Sequence, residues 1–254
     1  MRVSVIIPVL NEKADLPCAL GALEEFPGLY EIIVVDGGST DGTRELLSGD
    51  LSARARVVDG LRGRGNQLNA GARAATGDVV LFLHADTRLP ANAVQQITEA
   101  LSEKEVVGGG FCVRFMENEP WVLRVVAAGI NFRTKFFRAP TGDQAIFSRQ
   151  EAFVAAGGFA QWPIFEDVDF VRRLKRLGRF AIVPSHVTTS ARRYIAGGVL
   201  RTVLLMYALR VGFWMGVSPF HLHRWFKDVR PHLLRDRQCT TLHPDKQESV
   251  GERG

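Results

Sequence analysis

An α/β fold is what this sequence predicts: a mostly parallel central sheet flanked by helices, followed by a helical C-terminal extension. Three observations carry the prediction. Short β-branched runs alternate with helix-like segments from Val3 to Leu101, the pattern of strands joined by crossover helices. The composition, 46% hydrophobic and 23% charged over 254 residues, suits one large core with additions. The most apolar segment, residues 199–217, lies well after that alternation ends.

The elements follow in order. VSVIIPV (Val3–Val9) is an unbroken apolar run, as a strand buried on both faces requires. A helix is expected over about 14–25, and further strands over 31–36 and 55–59. Residues 66–75 read as a helix that Gly77 stops. A fourth strand is expected over 78–86, and then a helix within 89–101 with Pro90 near its first turn. The pattern changes after Gly108. GGGFCVRF reads as another strand, and 141–159 as a short strand with a short helix. Residues 165–178 form a helix with an acidic start, a basic end and a glycine stop. In such sheets ligands bind beyond the carboxyl ends of the strands.

Charge and cysteine content bound the partners. The net charge of +5 points to an anionic one: phosphates of a small molecule, nucleic acid, or an acidic membrane surface. The cations are dispersed and no base-reading motif is present, which speaks against nucleic acid. Cys18, Cys112 and Cys239 are widely spaced without CxxC. A disulfide framework or structural zinc is not expected, and a reducing cytoplasm is the default. MRVSVIIPVLNE reads as a strand and turn rather than a signal peptide.

Arg201 and Arg210 interrupt residues 199–217, each costing roughly 3 kcal/mol at a bilayer centre. A buried or interfacial helix is therefore expected there rather than a spanning one. In residues 120–138, Arg124, Arg133, Lys135 and Arg138 stand among Trp121, Phe132, Phe136 and Phe137. Such a helix either lies in the headgroup plane, at the inner face of the cell membrane, or packs on the sheet or on a second subunit in a homodimer. The polar tail from about Asp236 is expected to be disordered. The expected division is a catalytic domain over 1–190, a helical extension over 191–235 and a tail over 236–254.

Three motifs carry chemistry. VVDGGSTDGT ends a strand on Asp36, whose carboxylate can accept from a base N–H or ribose hydroxyl. Gly37 and Gly38 permit close ligand approach. LFLHADTRLP ends another strand with His84, Ala85 and Asp86. A hard divalent ion often joins one or two carboxylates to substrate phosphates. FEDVD places Glu166 and Asp167 at a helix start. Taken singly, each reads equally as a turn or a helix cap.

Together and in this order, the motifs resemble the family 2 glycosyltransferases of GT-A fold. VSVIIPVLNE is similar to their opening strand and turn, and VVDGGSTDGT to their VVDDGSTDGT loop. GRGNQLNAGARAATGDVVLFLHADT is similar to their helix and DxD strand. GGF followed by FEDVDFVRRLKRLG resembles their acceptor-side motif. GDQAIF, ED and TTSARRY resemble a bacterial subgroup of that family. The resemblance covers roughly residues 3–184.

It implies an inverting transferase that moves a sugar from a UDP- or GDP-linked donor to an acceptor hydroxyl, with Mg²⁺ or Mn²⁺. Asp36 would bind the nucleotide with Gly38, Arg64, Asn69, His84 and Ala85, over a floor shaped by Pro8, Asn11 and Glu12. Asp86 would hold the metal and Asp167 would be the general base. Asp143, Gln144, Glu166, Arg192 and Arg193 would lie on the acceptor or phosphate side, although TGDQ also reads as a turn before a strand and SARRY as a solvated basic loop. Two positions depart from the family pattern. Gly37 replaces the second acid of its DD pair, and His84 the first acid of DxD. The alternatives are a catalytically weak nucleotide-sugar-binding protein and a nucleotidyltransferase. The latter's glycine-rich basic loop after the first strand is replaced here by PVLNEK.

Overall fold

A computed structural model gives the fold and describes residues 1–24, 26–116 and 120–227. The tail expected over 236–254 lies outside the described residues. The strands are β1 (Val3–Val9), β2 (Leu29–Asp36), β3 (Arg56–Asp59), β4 (Val79–Phe82), β5 (Thr87–Arg88), β6 (Val106–Phe115), β7 (Phe147–Arg149) and β8 (Arg179–Thr189). The helices are α1 (Leu16–Glu24), α2 (Thr43–Ser48), α3 (Arg64–Ala74), α4 (Ala93–Ala100), α5 (Trp121–Phe137), α6 (Gln150–Ala155), α7 (Glu166–Leu177), α8 (Arg192–Gly197), α9 (Val199–Trp214) and α10 (Pro219–Lys227).

The strands form one mixed sheet in the order β3-β2-β1-β4-β7-β6-β8-β5. β1 pairs in parallel with β2 and β4, β2 with β3, and β6 with β8. β7 runs antiparallel to β4 and β6, and β5 to β8.

Alternation along β1 assigns its side chains to two cores. Val3, Val5, Ile7 and Val9 pack with Leu16 and Leu20 of α1 and Ile97 of α4. Ile6 points the other way, toward Leu68 of α3, Phe153 of α6 and Phe170 of α7. Both faces of the sheet are thus covered, which is why β1 carries no outward polar positions apart from Ser4. On the second face Phe82 meets Phe159 edge-on at 4.8 Å between ring centres. A third apolar cluster joins Leu209 of α9 and Leu222 and Phe226 of α10 to Ile164 and Phe165, directly before α7. No helix among the described residues is long and apolar enough to cross a membrane.

The structure departs from the sequence expectations in two places that bear on the site. The fourth strand stops at Phe82 rather than Asp86, and the Thr87 N–H donates to the His84 carbonyl at 3.1 Å, closing a turn. His84 and Asp86 therefore do not share a face of an extended chain. The chain then forms β5, whose Thr87 hydroxyl meets that of Thr189 at 3.1 Å. The longest strand, β8, was also hidden in the sequence. Its pairing with β6 skips between Val183 and His186, so Pro184 sits in a bulge where its missing N–H does no harm.

Candidate active site

The site forms where β1, β2 and β4 end together. Val9 lies opposite Asp36 in the parallel register, and Pro8, half-buried, lies opposite Val35. Asp36 is 1% exposed. Its carboxylate accepts from the Ser39 hydroxyl at 2.6 Å and the Ser39 N–H at 3.1 Å, with Arg44 at 3.6 Å. Asn11, at φ 60°, stitches this turn to the end of β1: its N–H donates to Ser39 Oγ at 2.9 Å and its Oδ1 accepts the Thr40 N–H at 2.8 Å. The Glu12 N–H donates to Thr43 Oγ1 at 3.0 Å. Gly38, at φ 90°, has open space where a side chain would stand, leaving its backbone accessible to a ligand.

Gln67 has no counterpart in the sequence reading. It is buried on α3, and its Nε2 donates to the carbonyls of Val9 at 2.7 Å and Val35 at 3.0 Å. It therefore locks the two strand ends that carry the loop. A Cβ at Gly37 would come within 2.9 Å of the Gln67 amide, which explains the missing second acid of the DD pair.

The turn after β4 gathers charge. Asp86 is half-buried and accepts only a long bond, 3.4 Å, from the Thr87 hydroxyl among the described side-chain contacts. Arg192, at the start of α8, places Nη2 3.6 Å from Asp86 Oδ2 and donates from Nη1 to Asp15 Oδ2 at 2.7 Å. Burial, and then the negative charges of Asp15 and Asp86, push the Glu12 carboxyl up to about 7. Arg192 is thus the cation within an acidic group formed by Glu12, Asp15 and Asp86. Burial and the charge of Arg64 bring the His84 imidazole down to about 4, so at neutral pH it is uncharged and has a lone pair to offer.

Asp167 sits on the first turn of α7, half-buried, and its Oδ2 accepts the Gly142 N–H at 2.6 Å. A Cβ at Gly142 would lie 3.0 Å from His84 Nε2 and 3.4 Å from Asp167 Oδ2, so both side chains close on this glycine. Gly142→Ala is expected to displace His84 and Asp167 together. Turnover should fall roughly tenfold with little change in the thermal midpoint, since the residue is half-buried at the site's edge. Steady-state kinetics beside a melting curve checks this.

The remaining expected residues divide. Ala85 is half-buried in the turn between His84 and Asp86. Asp143 accepts the Thr141 hydroxyl at 2.5 Å at the crevice edge. Arg64 opens α3 with Nη1 3.5 Å from Glu166 Oε1, and Glu166 is buried behind that pair. Arg193 lies 5.2 Å over the Phe226 ring, and desolvation and the like charge of Arg64 hold it below its ordinary pKa.

Two of the expected residues bond to the fold itself. Gln144 is fully buried, donating to the Phe111 carbonyl at 2.9 Å and accepting from Thr134 at 3.0 Å and the Thr141 N–H at 3.1 Å. Its side chain shapes the GDQ turn. Asn69 bonds the Phe159 backbone through both amide atoms at 2.8 Å, clamping α3 to the chain before α7.

Three further residues interact electrostatically with groups of this crevice. Burial and the charge of Arg210 bring Arg133 down to about 10, while Asp143 and Asp167 support its charge. Burial and Asp143 push the Tyr194 hydroxyl up to about 12. Arg210 acts on both Arg133 and Tyr194. No spacing in the sequence ties α5 and α9 to a site built on β4 and α7.

Among the described residues, no cluster of three or more His, Cys, Asp or Glu is placed to hold a metal. The donor set still fits a hard ion that takes most of its oxygens from phosphate and water, since such an ion needs only one or two protein ligands. Asp86 offers a partly exposed carboxylate, and the acidic group around it already draws in a cation.

The profile of Glycosyl transferase family 2 matches residues 4–158. The chain is similar to undecaprenyl-phosphate 4-deoxy-4-formamido-L-arabinose transferase of Aeromonas hydrophila, 32% identical over 139 residues, which cover 51% of this chain and 42% of that enzyme. It spans less than half of that relative's length. Among solved structures it resembles a mannosyltransferase of Pyrobaculum calidifontis in complex with GDP-Man and Mn²⁺, with TM-score 0.58 and 20% identity over 82% of this chain and 64% of that one. It also resembles glucosyl-3-phosphoglycerate synthase of Mycobacterium tuberculosis in complex with Mn²⁺, UDP and glucosyl-3-phosphoglycerate, with TM-score 0.56 and 22% identity over 79% of each chain. These likenesses carry the fold, which is of GT-A type.

Proposed function

This chain belongs to Glycosyl transferase family 2, and on that premise we propose that it moves a sugar from a UDP- or GDP-linked donor to an acceptor hydroxyl with inversion. One observation carries the reading. Residues remote in sequence, His84 and Asp86 after β4, Asp167 on α7 and Arg192 at the start of α8, gather in one crevice beside the loop that Asp36 organises.

The roles follow from position. Asp36 and the backbone around Gly38 would receive the nucleoside. Arg64 and Arg193 offset the negative charge of the diphosphate. Asp86 would hold a divalent ion, which when bound supplies Lewis-acid stabilisation of the leaving diphosphate. Asp167 takes the proton of the acceptor hydroxyl as it attacks the anomeric carbon from the face opposite the departing phosphate. The Gly142 N–H at 2.6 Å and the Val168 N–H at 2.7 Å each hold one carboxylate oxygen, which orients the group and leaves a remaining lone pair to meet the acceptor. A single displacement turns an α-linked donor into a β-linked product, with no covalent intermediate on the protein.

The test is incubation with a panel of nucleoside-diphosphate sugars and Mg²⁺ or Mn²⁺. Slow release of free nucleoside diphosphate from one donor is expected, along with a β-linked product from an α-linked donor once an acceptor is supplied. Tight donor binding without release from any donor would leave the non-catalytic binding protein in its place. Release of pyrophosphate from nucleoside triphosphate and sugar phosphate would identify a nucleotidyltransferase.

A further inference from the structure

A helix packed on a sheet ordinarily turns its polar side outward. α5 does not. Its inner face, with Leu123, Ala127 and Thr134, is buried. The opposite face carries Trp121, Val125, Phe132 and Phe136 at helical spacing, and three of these are 71–75% exposed. The Phe132 and Phe136 rings stack 6.1 Å apart, so the stripe is continuous. α9 repeats the arrangement. Thr202 and Leu209 are buried, while Leu200, Leu204, Tyr207 and Val211 are exposed and lead to Trp214 and Met215, each 78% exposed. The two helices are in contact.

The charge around these stripes has one sign. Residues 120–138 and 191–227 contain no Asp or Glu. Arg124, Lys135, Arg201 and Arg224 are exposed there. A cavity of about 710 Å³ opens beside Trp121, between α5 and the ends of β6 and β8, and Arg114, Arg124 and His186 are in its wall. Burial and the charges of Lys135 and Arg114 hold His186 below its ordinary pKa, as a locally positive field requires.

We propose that the exposed faces of α5 and α9 lie on an anionic bilayer surface, their aromatic rings at headgroup depth and their arginines and lysines among the phosphates. A second copy of the chain suits these faces less well, because pairing them would set cations against cations with no acid between. The proposal stands apart from the catalytic reading, since it concerns where the protein sits and not what it transfers.

Flotation with phosphatidylcholine vesicles, with and without phosphatidylglycerol, tests it. Binding is expected with phosphatidylglycerol, weak without it, and reduced by salt. Two double variants, Phe132→Ser with Phe136→Ser and Arg124→Glu with Lys135→Glu, should each partition at least roughly tenfold less. All four side chains are exposed, so donor turnover in solution and the thermal midpoint should hold in both variants. Failure to float at low salt, or flotation untouched by either variant, overturns the proposal. So does a sedimenting dimer that the phenylalanine variant dissolves while no vesicle binding is seen, which would assign the face to a second copy. Donor turnover is read separately, so loss of either reading is visible without the other.

Discussion

Asp167→Asn is expected to lower turnover by roughly 10²–10⁴-fold, the range over which a positioned general base contributes. The amide keeps one oxygen that can still accept the Gly142 N–H, now bonded at 2.6 Å to the carboxylate, so the turn before β7 should stay in place while the Val168 N–H, now at 2.7 Å from the other oxygen, loses its acceptor. What is lost is the capacity to take a proton from the acceptor. Donor affinity should stay close to wild type, because the change is isosteric and Arg64 and Arg193 are untouched. Single-turnover kinetics and donor calorimetry on the same variant separate the two quantities. Unchanged turnover would remove Asp167 from the chemistry.

Asp86→Ala is expected to cut metal-dependent kcat/KM by on the order of 10²-fold or more, the several kcal/mol that a bound metal supplies to a developing phosphate charge. The structure adds a contrast. Asp86 and Asp15 share Arg192, at 3.6 and 2.7 Å, so removing Asp86 leaves Arg192 paired to Asp15 and the start of α8 tethered. The variant should therefore remain folded while losing the gain in donor affinity that Mn²⁺ brings. Calorimetry of donor binding with and without Mn²⁺ reads this directly, and an undiminished gain would place the ion elsewhere.

The parts legible in the sequence were those dictated by local chemistry. β1 announces itself because a strand buried on both faces must be apolar throughout. α7 does so through its acidic start and basic end. Asp36, Asp86 and Asp167 stood out because carboxylates at strand ends and helix starts face crevices in this kind of sheet. What stayed hidden depends on packing between distant segments. Pro184 occupies a bulge inside β8, a position that only the pairing with β6 reveals. Arg133 read only as one cation on an aromatic helix, because nothing local reveals that its own side turns toward Asp143 and Asp167. TGDQ reads either as an acceptor-side element or as a turn before a strand, and nothing local reveals that four bonds draw Gln144 into the interior. Gln67 gave no hint at all. Its role exists only once α3 lies against the ends of β1 and β2.

Gln67 and Gly37 also constrain how this chain can change by descent. An acid at position 37 would collide with the amide 2.9 Å away. Shortening residue 67 first would remove the two bonds that tie α3 to the Val9 and Val35 carbonyls, a loss of roughly 1 kcal/mol each. Each single step is disfavoured. The two positions therefore behave as one heritable unit, and a chain that has acquired the glycine–glutamine combination is held there by epistasis.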